Sequence, residues 1–94
     1  MEKNIDLALI GDLYSLLGEP NKLNIFIMLK EKELCICEII EKLNIKQNMV
    51  SHHVAILRRA GILNSRKDGT RVFYSINLDM YEKIKENTKI LFNI

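Results

Sequence analysis

Asp68-Gly69 is the feature that most narrows what this chain can become. Asp-Gly favours the tight turn of a β-hairpin, because glycine accepts the positive φ such turns require. ILNSRK runs into it and TRVFYSI runs out of it. In the second arm Val72, Tyr74 and Ile76 alternate with Arg71, Phe73 and Ser75, so one face turns to a core and the other outward. With 4 glycines and 1 proline the chain has few further turn signals, so the rest reads as mostly helical.

The remaining apolar residues recur at helical spacing. Residues 4–17 are apolar nearly all round: Ile5, Leu7, Leu9, Ile10, Leu13, Tyr14, Leu16 and Leu17. Such a helix is buried on more than one side, and in a chain this small the second side points to a partner subunit. Gly18 ends that helix and Pro20 suits the first turn of the next, over 20–31, with Leu23, Phe26 and Ile27 on one stripe. Residues 35–43 repeat the period with Ile36, Ile39, Ile40 and Leu43, and Asn44-Ile45 makes a short turn. Residues 47–60 follow with Val50, Val54 and Leu57, plus Met49 and Ile56, until Gly61 stops them. After the hairpin, 78–92 is helical again through Leu78, Tyr81, Ile84 and Leu91. The predicted fold is mostly α with a β-hairpin wing.

Length and composition bound this reading. The 94 residues, 48% apolar and 28% charged, form one globular domain over 1–94 without linker or repeat. A chain so short buries about 60–65% of its unfolded surface, which again favours a partner. No apolar run reaches about 18 residues, so no membrane is expected. The N-terminus carries acids inside its apolar stretch and lacks a small-residue cleavage site, so the expected location is cytoplasmic.

Charge is unevenly spread. Residues 1–44 carry net −3, residues 45–75 net +5, and residues 76–94 net zero. A basic middle segment marks a polyanion-binding face, although a merely solvated basic face has the same composition. The order of elements selects between the two. Two short helices joined by a tight turn and followed by a hairpin make a winged helix-turn-helix. Its second helix presents Gln47, Asn48, Ser51, His52 and Ala55 outward, and Gln or Asn can bond adenine bidentately. Gln47 and Asn48 also suit a plain helix start. Lys46 lies just before the helix, Arg58 and Arg59 at its far end, and Arg66, Lys67 and Arg71 on the hairpin, where phosphates would pass. His52 and His53 point about 100° apart, so one faces outward and the other packs inward.

Cys35 and Cys37 form C-x-C at a helix start. Inside a helix their side chains diverge by about 200°, so a disulfide needs the first turn to unwind. Without an export signal two reduced thiols are expected. A helix N-terminus favours thiolate and soft-metal binding. If Cys35 precedes the first helical residue, both sulfurs converge on one ion. Redox sensing without metal and ordinary buried packing are the competing readings.

Three stretches together resemble the ArsR/SmtB family of metal-responsive repressors. They are Leu34-Cys35-Ile36-Cys37-Glu38-Ile39, then Val50-Ser51-His52-His53-Val54-x-x-Leu57-Arg58-x-Ala60-Gly61-Ile62, then Arg66-Lys67-Asp68-Gly69-x-x-Val72-Phe73-Tyr74. Upstream, Leu17-Gly18-Glu19-Pro20-Asn21-Lys22-Leu23 fits the start of that family's second helix, so the likeness spans roughly residues 5–76. The resemblance implies a homodimer through the first and last helices, a palindromic operator in double-stranded DNA, repression, and release by an inducer. It implies no required cofactor. Cys35 and Cys37 match the C-x-C with which arsenic and heavy-metal members bind arsenite or a soft heavy-metal ion. A third ligand would come from water, a small thiol or a carboxylate such as Glu38. The family's other site, on the last helix, needs histidines; residues 76–94 have none. Lys46, Asn48 and Met49 depart from the usual serine cap and Pro-Thr, which bears on operator sequence.

An enzyme is not expected. No acid is placed to orient a His–Cys pair, and no phosphate-cradling glycine loop exists. Beside a metal-released repressor stand a regulator that senses redox state or no metal, and a protein-interaction module without DNA binding.

Overall fold

The computed structural model describes residues 4–93. Helix α1 spans Leu7–Leu17, three residues shorter at its start than the periodicity predicts. Asp6 sets that start: its carboxylate accepts the Leu9 N–H at 3.0 Å and caps the helix. Helix α2 (Pro20–Glu31) has the predicted bounds, with Glu19 as N-cap accepting the Lys22 N–H at 3.0 Å. A two-residue strand β1 (Leu34–Cys35) follows, then α3 (Ile36–Leu43) and α4 (Gln47–Arg59). Asn44 closes α3 in the left-handed conformation at φ 54°. Strands β2 (Leu63–Asp68) and β3 (Arg71–Ile76) form the hairpin, and α5 (Leu78–Phe92) completes the described chain.

The hairpin differs from expectation by one residue. Asp68 pairs with Arg71 as the last rung, so the turn is Gly69-Thr70 rather than Asp68-Gly69. Gly69 has φ +65° at the first central position, the residue pattern of a type II′ turn. The sheet has order β1-β3-β2, all antiparallel, with Leu34 opposite Tyr74 and Cys35 opposite Phe73. The strand β1 was not predicted. Two residues show no alternation, and their pairing depends on a strand beyond two intervening helices.

The core gathers Ile25, Leu34, Ile39, Val50, Val54 and Leu57, each at most 1% exposed. Residues from α2, β1, α3 and α4 thus meet in one cluster, which fixes the helix-turn-helix against the sheet. The α2 stripe is corrected: Ile25, Phe26 and Leu29 are buried, whereas Leu23 and Ile27 are exposed. Leu23, Phe26 and Ile27 fit the helical spacing, but so do Ile25 and Leu29; apolar residues on both sides of α2 left the period ambiguous. Among the described residues no helix is long and apolar enough to cross a membrane.

Candidate nucleic-acid interface and thiol pair

Helix α4 begins without a side-chain cap. Lys46 is extended at φ −59°, ψ 141°, and its carbonyl accepts the N–H groups of Met49 and Val50 at 3.0 and 3.1 Å. Its ammonium group stays exposed beside the helix N-terminus. Gln47, Asn48 and His52 are exposed and Ser51 is half-buried, while Val50, His53, Val54 and Leu57 face the core. The outward residues therefore share the first two turns on one side, opposite the packing face. In a winged helix-turn-helix bound to DNA, that end of the second helix is the one that can enter a major groove.

His53 is the inward histidine, 5% exposed, and both ring nitrogens are buried without a hydrogen-bond partner. Glu19 lies 3.7 Å from Nε2, close enough for charge attraction and too far for a hydrogen bond. Burial pushes the His53 pKa down, and the attraction of Glu19 offsets part of that. The folded protein therefore resists a proton that the unfolded chain accepts. Stability is full above the ordinary histidine pKa and falls as pH drops through about 6.5 toward the lowered folded value. Urea unfolding at about pH 7.5 and about pH 5.5 should show this loss, and His53→Leu should remove most of it. Glu19 is held below the usual carboxylate range, chiefly by the Lys22 N–H, so its own contribution fades only at more acidic pH.

The basic residues divide into two groups. Lys46, Arg59 and Lys67 are exposed and make no ion pair among the described residues. The other three are engaged within the chain. Arg58 Nε donates to Ser65 Oγ at 2.6 Å, joining the end of α4 to β2. Arg66 grips Glu33 through two bonds at 2.9 and 2.7 Å and lies 4.6 Å above the Phe73 ring. That pairing holds the Glu33 carboxyl below its usual range. Arg71 donates to both cysteine sulfurs, at 3.4 Å to Cys35 Sγ and 3.5 Å to Cys37 Sγ, with its guanidinium 5.6 Å from the Phe73 ring centre. Glu33, Ser65 and Phe73 were missed as partners. Their contacts join segments far apart along the chain or on different elements, which local spacing does not encode.

The sheet explains why Arg71 meets the cysteines. Cys35 lies opposite Phe73, and Arg71 is two residues along the same strand, hence on the same face and diagonal to Cys35. Cys35 is buried and extended (φ −78°, ψ 159°) as the N-cap of α3, while Cys37 is exposed on its first turn. This unwound position overcomes the helical divergence: the sulfurs are joined in a disulfide, where two reduced thiols were expected. The Glu38 carboxylate accepts the Cys35 N–H at 3.0 Å, so it caps the turn instead of pointing at the sulfurs as a ready third ligand. Among the described residues no cluster of three or more His, Cys, Asp or Glu side chains could hold a metal ion.

Known proteins share this arrangement. The signature described as "Bacterial regulatory protein, arsR family" matches residues 19–65, from the start of α2 into β2. An HTH-type transcriptional regulator of Methanocaldococcus jannaschii is 37% identical over 82 residues, 86% of this chain and 89% of its own. The arsenical resistance operon repressor of Staphylococcus xylosus is 28% identical, with 87% of this chain and 79% of that protein covered. The structure of HlyU from Vibrio cholerae, a transcriptional activator by name, superposes over 100% of both chains with a TM-score of 0.77 at 30% identity. With its winged helix-turn-helix, and with regulators rather than enzymes as its relatives, the chain belongs to the ArsR/SmtB family of transcriptional regulators.

Proposed function

We propose that this regulator is a homodimeric repressor that binds operator DNA and lets go when Cys35 and Cys37 take up a thiol-seeking metal or metalloid such as arsenite. The observation that carries the reading is the convergence of both sulfurs at the unwound start of α3. Two sulfurs with, among the described residues, no further protein donor gathered at them suit trivalent arsenic, which takes its third ligand from water or a small thiol. They do not suit a closed four-ligand zinc site. The similarity to an arsenical resistance repressor supports the same choice.

In this reading Gln47, Asn48, Ser51 and His52 meet base edges, Lys46, Arg58 and Arg59 the flanking phosphates, and Arg66, Lys67 and Arg71 the backbone beside the wing. Helix α3 is the first helix of the motif. An ion drawing its first turn together tilts α4 relative to the second subunit's, and paired reading heads must stay about one DNA turn apart. A coupling of about 1–3 kcal/mol suffices.

Fluorescence anisotropy of the reduced protein on its own upstream duplex tests this. Arsenite should weaken binding by about tenfold or more, and Cys35→Ser should keep DNA affinity while removing the response. Affinity indifferent to arsenite, cadmium and lead would end the inducer reading. Affinity indifferent to salt would end DNA binding and leave an interaction module. The observed disulfide favours one second reading, redox gating at the same pair. There a mild oxidant changes DNA affinity and arsenite does not.

A further inference from the structure

Arg71 occupies the place an inducer needs. One guanidinium nitrogen lies 3.4 and 3.5 Å from the two sulfurs of the disulfide, nearly equidistant, and so stands beside both atoms that an ion would bridge once the pair is reduced. Arg71 is also the first residue of β3, paired with Asp68 across the wing turn. The same side chain thus ties the turn end of the wing to the first turn of α3. The neighbouring charges are already committed: Glu38 to the Cys35 N–H and Arg66 to Glu33.

We propose that Arg71 is the positioning residue that transmits inducer binding to the wing: an ion bridging Cys35 and Cys37 displaces its guanidinium and unlatches the wing from α3. This rests on the thiol-inducer reading above. Displacement has two consequences that can be measured apart. Without the guanidinium nothing has to be ejected, so the thiols bind their ligand more tightly. With no latch to release, that binding no longer reaches the DNA face.

Phenylarsine oxide is the suitable probe, because its phenyl group already supplies the third substituent on arsenic. Two thiols and the arsenic oxide give a cyclic dithioarsenite and one water; two As–S bonds form, the As–O bonds break, and both thiol protons leave with the oxygen. No oxidant or reductant is consumed. The reduced wild type, Arg71→Gln and Arg71→Lys are compared, first for probe affinity without DNA, then for duplex affinity with and without probe. Each DNA response is read as a fold-change from that variant's own probe-free affinity, because Arg71 also faces the backbone beside the wing, and Arg71→Lys keeps the positive charge there; circular dichroism confirms that each variant is folded. Arg71→Gln should bind the probe several-fold more tightly than wild type. Its DNA affinity should fall less than about twofold on probe addition, against about tenfold or more for wild type.

Equal probe affinity in wild type and Arg71→Gln overturns displacement. An undiminished DNA response in Arg71→Gln overturns transmission. A wild type that binds the probe with no change in DNA affinity ends the inducer reading itself, while the affinity comparison still decides whether Arg71 guards the sulfurs.

Discussion

Replacing Leu91 and Phe92 together by aspartate should yield a monomer whose operator affinity is lower by about 10²–10⁴-fold. The reasoning starts from exposure. Leu7 and Tyr14 on α1, and Leu91 and Phe92 on α5, are 74%, 42%, 43% and 60% exposed, while Ile10, Leu13 and Ile84 on the same helices are buried. The two helices are tied together, with the Asp6 N–H donating to Asn87 Oδ1 at 2.7 Å. Their outward apolar side chains are the surface that the proposed dimer, through the first and last helices as the family resemblance implies, would bury. Each aspartate would place a charge into that contact, and an unpaired buried charge is strongly unfavourable. A monomer retains one reading head and loses the effective concentration that linkage gives the second. Analytical ultracentrifugation reads the first effect and anisotropy the second. A double variant that remains dimeric would show that α5 is not the interface.

The second large effect is on stability. Leu57→Ala should cost about 2–5 kcal/mol in urea unfolding, a sizeable share of the about 5–15 kcal/mol typical of a folded protein. Leu57 is fully buried among residues of α2, β1, α3 and α4, so its loss leaves a cavity where the reading helix meets its support. Ile27→Ala is the contrasting change. Ile27 is 49% exposed, and its truncation should stay within about 0.5 kcal/mol. A comparable cost at both positions would contradict the packing described for α2.

The same contrast shows what the sequence makes legible. Helix α2 follows from the local signals Gly18 and Pro20 and α5 from the apolar spacing that begins at Leu78, both with the observed bounds, whereas the spacing of α4 runs one residue past its end. The choice of buried stripe on α2 was not local, since apolar residues stand on both its sides and only the neighbouring helices decide between them. The cysteines lie between these cases. Their spacing stated the condition, convergence only if Cys35 lies outside the helix, and the pairing of β1 with β3 meets it. The outward face of α4 follows from helical period, so Gln47, Asn48 and His52 were placed on the exposed side from sequence alone. The engagement of Arg58, Arg66 and Arg71 within the chain was not legible, because each partner lies on another element.

Strand β1 carries a consequence for the order of assembly. Its partner β3 lies beyond both helices of the reading motif, so β1 can pair only after those helices have drawn the chain back upon itself. The hairpin β2–β3 closes over a two-residue turn and loses little chain entropy in doing so. The β1–β3 rungs close a far longer loop and belong late in folding. Amide exchange should accordingly find the Leu34 and Cys35 rungs opening more readily than the hairpin they extend. With that result, the edge of the sheet that carries Cys35, just before α3, is the part that comes undone first.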